Sequence, residues 1–421
     1  MTEELEELSI VGLDSRGEGL SDDGVAISGA LPGERARIVR LGRRAELVEA
    51  VARSPERVEP FCPWFGRCGG CAAQHMSDSL YRGWKREQVA DALAQARVAA
   101  EVGPLVDAHG EGRRRAAFHA RFPHGDPDEV GFMRARSHEI ITIDACPLFS
   151  PSLANAIPTA RALSGCLRGL GKPLDIWATA TLDGLDVDLR GSGPLGLSET
   201  TKLIRTAEAL DIARVANHGA VVVERRAPRV AFGEALVIIP PGGFLQATEA
   251  GERALADFAE EAFGKARRVA DLFCGAGAFA LRLARGREVL AVDSDAAAIA
   301  ALRLGASRAQ GLRTVTTEAR DLFRRPLSAS ELSPFDAALF DPPRAGAEAQ
   351  ARAFAASALP LVVAISCNAK TFARDACILV DGGFRLERVT PLDQFRYSPH
   401  VEIAAVFRRE GAKKPARRLF R

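Results

Sequence analysis

Between residues 268 and 368, five short strand-forming runs each stop at a polar or glycine-rich step, in order along the chain. Val269-Ala-Asp-Leu-Phe273 leads into Cys274-Gly275-Ala276-Gly277. Residues 288–292 end at Asp293, and residues 314–317 are followed by Asp321. Residues 337–340 end at Asp341-Pro342-Pro343-Arg344, and residues 361–365 end at Ser366-Cys367-Asn368. Short, nearly continuous apolar runs suit strands buried on both faces of a parallel sheet. Polar residues at the strand ends then gather along the carboxyl edge, where open α/β sheets bind ligands. This pattern predicts an α/β fold with its site on one edge.

The residue types at that edge narrow the chemistry. Gly275 and Gly277 let backbone approach a ligand closely. Asp293, eighteen residues past Gly275, is placed to hold two ribose hydroxyls, and Asp321 to lie near an adenine ring. The third glycine of a dinucleotide fingerprint is missing, which favours S-adenosylmethionine over NAD. Cys367 falls between a strand end and a helix expected near Thr371, where the local dipole would favour a thiolate; a buried structural cysteine is the plainer alternative. A helix over residues 372–380 and strands over 384–390 and 401–407 would close a seven-stranded methyltransferase sheet.

The 421 residues, 47% apolar and 26% charged, predict a protein of two or three domains with a sizeable core. The net charge of +2 names no partner. Its distribution says more: Arg37, Arg40, Arg43 and Arg44, then Arg113–Arg115, then Lys413, Lys414, Arg417, Arg418 and Arg421 are clusters compatible with nucleic acid. The acidic start (Glu3, Glu4, Glu6, Glu7) does not read as a signal peptide, and no apolar run approaches a membrane span. A cytoplasmic location and a monomer are the expectation.

Residues 1–58 alternate short β runs with Gly and Pro turns, which suits a small barrel of the oligonucleotide-binding type. The turn at Gly17 and Gly19, followed by Leu31-Pro-Gly-Glu34, is similar to the TRAM module, an RNA-binding barrel. Cys62, Cys68 and Cys71 then fall within ten residues, around Gly69-Gly70, with Cys146-Pro147 as the best fourth ligand. Spacing leaves zinc and an iron–sulfur cluster equally open, since both accept four tetrahedral thiolates. An amphipathic helix is expected over 80–99 and a hairpin from 116–122 and 130–133. The middle reads as α+β: helices over 153–170 and 199–210, strands over 176–182, 185–190, 221–225 and 236–239. Taken alone, Gln246 is an exposed residue entering a helix, and Cys166, Cys274 and Cys377 are packing residues.

Together these motifs resemble the RNA uracil-5-methyltransferase family over nearly the whole chain. The resemblance rests on the TRAM-like turns, the four cysteines, Asp271-Leu-Phe-Cys-Gly-x-Gly277, Asp341-Pro-Pro-Arg344, Ser366-Cys-Asn368, and Asp393-Gln-Phe395 leading to His400-Val-Glu402. It implies a class I methyltransferase domain at 246–411, a TRAM barrel at 1–58, a central domain at 59–245 and a basic tail at 412–421. It implies a four-iron, four-sulfur (4Fe-4S) cluster on Cys62, Cys68, Cys71 and Cys146, rather than zinc. S-adenosylmethionine contacts would fall on Gln246, Phe273, Asp293 and Asp341, the nucleophile on Cys367 and the general base on Glu402. Barrel and cysteines together are similar to the 23S ribosomal RNA branch, with transfer RNA as the second substrate. Ala278, Ala319, Ala369 and Arg396 depart from the usual family residues. A non-catalytic RNA-binding scaffold needs neither Cys367 nor Glu402, and an amino-group methyltransferase usually has an aromatic where Arg344 stands.

Overall fold

The computed structural model describes residues 5–42, 44–124 and 127–409. Arg43 and the basic tail lie outside the described residues. Among those described, no helix is long and apolar enough to cross a membrane.

Strands Leu5–Leu13, Gly19–Ser21, Ala26–Ser28, Arg35–Leu41 and Arg44–Ala52 close into a five-stranded barrel around Ile10, Val25, Ile27, Ala36 and Ile38. The barrel sits on the helix Asp78–Gln95: Trp84 Nε1 donates to Asp14 O at 2.8 Å. Gly17 (φ +80°) lies under the same indole, where a Cβ would stand 3.2 Å from the ring. Its arginines are not free: Arg37 pairs with Glu7 and Glu49, Arg40 with Glu6 and Asp23, and Arg44 with Glu18.

The helix is shorter than the expected 80–99. Ser77 accepts from Leu80 N and caps its start, and Arg97 at φ +58° turns the chain beyond its end. A seven-stranded sheet follows in the order Ala220–Glu224, Arg214–Asn217, Gly184–Arg190, Leu174–Thr181, Arg115–Arg121, Glu129–Met133, Ile140–Thr142. Helices Ala156–Cys166 and Leu197–Ala209 cover one face. The helix expected over 153–170 is only its middle, because single turns at Pro151–Leu153 and Arg168–Leu170 flank it. Strands Arg214–Asn217, Arg229–Phe232 and Ile140–Thr142 were not expected.

The sheet that carries the site has eight strands rather than seven. Its order is Val315–Ala319, Glu288–Asp293, Arg268–Leu272, Ala337–Phe340, Leu361–Ser366, Glu402–Arg409, Phe384–Asp393 and Val106–Asp107. The extra strand, Val106–Asp107, comes from far earlier in the chain and pairs with the end of Phe384–Asp393. The first five strands run parallel, and Glu402–Arg409 enters antiparallel. All six residues of Leu361–Ser366 are buried. Val362 and Ala364 join one core, Leu361, Val363 and Ile365 the other, as expected for a sheet covered on both faces. The helix Glu249–Phe263, which the context of Gln246 anticipates, is capped by Thr248 and carries acidic residues in its first turn.

Candidate active site

The strand-end residues converge on one cavity of about 540 Å³. Phe273, Gly275, Asp293, Asp341 and Cys367 line it from the parallel strands, Gln246 from the segment before the helix Glu249–Phe263, and Glu402 from the first position of the antiparallel strand. Asp321 is not among its lining residues. Its carboxylate instead accepts from Phe323 N (2.9 Å) and Arg324 N (3.3 Å), forming the turn that brings Phe323 to the wall.

The glycine turn and Asp293 are locked together. Asp293 accepts from Gly275 N at 2.9 Å through one oxygen and from Asp295 N at 2.8 Å through the other. Phe273 adopts φ +62°, a strained position for an aromatic residue. Its ring lies 5.5 Å from that of Phe323, so the two aromatics form part of the same wall.

Across the cavity, an amide relay joins the carboxyls of Asp341 and Glu402. Gln246 Nε2 donates to Asp341 Oδ2 at 2.8 Å; Gln394 Nε2 donates to Gln246 Oε1 at 2.8 Å and to Glu402 Oε2 at 2.7 Å. Gln246 is 5% exposed, not the surface residue its context suggests. Burial pushes the proton affinity of both Asp341 and Glu402 above the ordinary carboxylate range, Asp341 adds to the rise at Glu402, and the glutamine donors oppose it. Gln394 belongs to a motif recognisable in the sequence, but its role there was not.

Cys367 lies at the junction of this cavity and a second, open groove of about 540 Å³ bounded by the Asp14–Arg16 turn of the barrel and the helix Asp78–Gln95. Arg344 and His400 line both spaces. Arg344 donates to His400 Nε2 at 2.8 Å, and burial together with Arg344 lowers the imidazole pKa to about 4, leaving a neutral acceptor. The expected activation of the Cys367 thiol by a helix start is overturned: burial first, then Glu402 and Asp341, push its pKa up to about 11. The start of the helix Ala369–Asp381 is capped by Asn368, which accepts from Lys370 N and Thr371 N, so the dipole is already partly answered.

The four N-terminal cysteines line another cavity, of about 240 Å³. Among the described residues, no group of three or more His, Cys, Asp or Glu side chains stands close enough to hold a single metal ion. N–H donors point at two of the sulfurs: Gly70 N at Cys68 (3.4 Å) and Gln74 Nε2 at Cys71 (3.3 Å). Gly69 permits this wrapping, since a Cβ there would stand 2.7 Å from Met133 O. Arginines 113–115 do not form a phosphate-facing surface. Arg113 lines the cysteine cavity, Arg114 pairs with the buried Glu252, and Arg115 donates to Leu245 O beside the Trp177 and Phe244 rings.

Comparison with known proteins agrees with this geometry. The model of the tRNA (uracil-5-)-methyltransferase family matches residues 240–410. An uncharacterised RNA methyltransferase of Brucella suis is 45% identical over 403 residues, covering 95% of this chain and 97% of that protein. The 23S rRNA (uracil(1939)-C(5))-methyltransferase RlmD of Salmonella typhimurium is 32% identical, covering 94% of both chains. In fold, the chain is similar to the Pyrococcus abyssi tRNA (uracil-54, C5)-methyltransferase solved with S-adenosyl-L-homocysteine: TM-score 0.72, 22% identity, 96% of this chain and 100% of that one.

Proposed function

The chain belongs to the RNA uracil-5-methyltransferase family and is an S-adenosylmethionine-dependent enzyme of that activity, and we propose that it methylates carbon 5 of a uridine in 23S ribosomal RNA through a covalent bond from Cys367. The observation that carries the mechanism is the position of Cys367 between the cavity and the groove, with Glu402 on the cavity wall.

The cavity suits the cofactor. Asp293 is oriented for a ribose, Phe273 and Phe323 for an adenine, and Asp341 with Gln246 for the polar end nearest the chemistry. When bound, S-adenosylmethionine supplies an electrophilic methyl group. A base swung out of its stack enters from the groove, because neither face of a stacked uracil is reachable. The Cys367 sulfur adds to carbon 6, and the electron pair of the carbon 5–carbon 6 bond becomes available at carbon 5. Once carbon 5 carries the methyl group, Glu402 takes its proton. The double bond re-forms and the sulfur leaves with its electron pair. The thiol must give up its proton before it adds to carbon 6, and the Arg344 guanidinium, which opposes the burial-driven rise in its pKa, favours that loss.

We assign Cys62, Cys68, Cys71 and Cys146 to a 4Fe-4S cluster in the same chain. Thiols spread around a cavity suit a polynuclear cluster, whereas a lone zinc needs all four sulfurs about 2.3 Å from one point. The N–H donors to Cys68 and Cys71 are of the kind that stabilise cluster sulfurs. Anaerobically purified protein should carry about four irons per chain; stoichiometric zinc without iron would refute the assignment. Preference for 23S ribosomal RNA is supported by the RlmD relative at 32% identity. Methyl transfer to unmodified 23S ribosomal RNA and transfer RNA, measured side by side, tests it: transfer to transfer RNA alone would reverse the assignment.

A further inference from the structure

Gln394 has no solvent exposure, and each end of its amide is engaged. Ala247 N donates to Oε1 at 3.1 Å, so Nε2 is the end that faces Gln246 and Glu402, at 2.8 and 2.7 Å. The neighbouring chain is shaped around it. A Cβ at Gly251 would stand 2.8 Å from both Cβ and Oε1 of Gln394, so the first turn of the helix Glu249–Phe263 leaves room for this one side chain. On the other side, Asp393 is fixed by Lys85 (3.1 Å) and Tyr81 (2.6 Å) from the helix Asp78–Gln95.

An amide is the one common side chain that can occupy this position and donate twice while accepting once. A carboxylate would repel Glu402, and an apolar group would leave Glu402 Oε2 and Ala247 N without these partners. We propose that Gln394 is a positioning residue for the proton-removal step, holding one oxygen of Glu402 so that the other is presented to carbon 5 of the methylated uracil. The inference rests on Glu402 being the base. In the step concerned, the carbon 5 proton moves to the Glu402 carboxylate, the carbon–hydrogen electron pair re-forms the double bond, and the carbon 6–sulfur bond breaks with its pair remaining on Cys367. Gln394 gains and loses nothing; it fixes the acceptor.

A misplaced base leaves the earlier addition intact and stalls the later elimination. The test compares native protein, Gln394→Leu, Gln394→Glu and Glu402→Gln, each with S-adenosylmethionine and substrate RNA. Methyl incorporation and the denaturant-stable protein–RNA complex are measured over pH 6–9, a window set at roughly neutral pH where general bases are poised. Gln394→Leu should accumulate the methylated covalent complex, as Glu402→Gln should, with turnover down about 10–100-fold, below the full loss of a general base. Its rate of complex formation should stay within about threefold of native, since the addition step does not use the base. Gln394→Glu, which keeps the volume, should work best at the acid end, where its protonated carboxyl can still donate, and fail as pH rises. If Glu402→Gln traps the complex but neither Gln394 variant does, the positioning role is overturned and the base stands. If none of the three traps it, the assignment of Glu402 falls, and this inference with it. A parallel loss of complex formation and turnover in both Gln394 variants, as misfolding would give, also contradicts the proposal.

Discussion

Lys85 Nζ lies 3.1 Å from Asp393 Oδ1, and their side chains are 0% and 5% exposed. The same ammonium donates to the carbonyl of His400, so one buried cation holds both ends of the loop between the strands Phe384–Asp393 and Glu402–Arg409. Tyr81 accepts from Tyr397 N at 2.8 Å, and Tyr397 O accepts from Ala72 N and Ala73 N, next to Cys71. The helix ahead of the central sheet and the cysteine segment therefore grip the loop that follows Gln394.

Removing one partner of this pair leaves a charge buried alone, which costs about 3–5 kcal/mol. Lys85→Met should lower the urea unfolding free energy by that amount. Lys85→Met with Asp393→Leu should recover much of it, because the stranded charge goes too. A single variant as stable as the native chain would show that the pair is not a determinant of the fold.

The free thiol of Cys367 should be slow to alkylate near neutral pH. With its pKa pushed up to about 11, chiefly by burial, the thiolate fraction grows about tenfold per pH unit below that value. Peptide mapping after brief iodoacetamide treatment should show labelling of Cys367 still rising at pH 10. A plateau near an ordinary thiol value of about 8.5 would contradict the account of the site.

Asp341 and Glu402 also link stability to pH. Both bind a proton more tightly folded than unfolded, because burial raises their folded pKa values. Their contribution is complete below the unfolded-chain values of about 3.9 and 4.3 and declines as pH rises from there through the raised folded values. Glu402→Gln should therefore lessen the fall in melting temperature on the alkaline side of about pH 5. An identical pH profile in native and variant protein would mean the carboxyl is not held as described.

Asp293 fixes the glycine turn and faces the cavity proposed for the cofactor. Losing a hydrogen bond to a charged group is worth about 1.5–3 kcal/mol, so Asp293→Ala should weaken S-adenosyl-L-homocysteine binding about 10–150-fold by calorimetry. Unchanged affinity would remove Asp293 from the cofactor site.

What the sequence revealed was local. The buried strand ending at Cys367 is a continuous apolar run, Leu361-Val-Val-Ala-Ile365, and the strand ending at Asp341 is Ala337-Ala-Leu-Phe340; such runs leave little choice of structure. What it hid depends on distant partners. Gln246 looks exposed until Asp341, 95 residues away, accepts its amide. Arginines 113–115 look like a basic surface until Glu252 and the cysteine cavity draw two of them inward. The two-residue strand Val106–Asp107 has no periodicity to read and exists through pairing with Leu392 and Asp393. Asp321 follows a strand, as a residue near an adenine would, whereas backbone donors claim its carboxylate and Phe323 takes the wall.

The central claim, covalent catalysis by Cys367 at uracil carbon 5, is tested most directly with ribosomal RNA tritiated at that carbon. The native enzyme should release one tritium for each methyl group transferred, and Cys367→Ala should release none. Methyl transfer without tritium release, or release undiminished in Cys367→Ala, would contradict it.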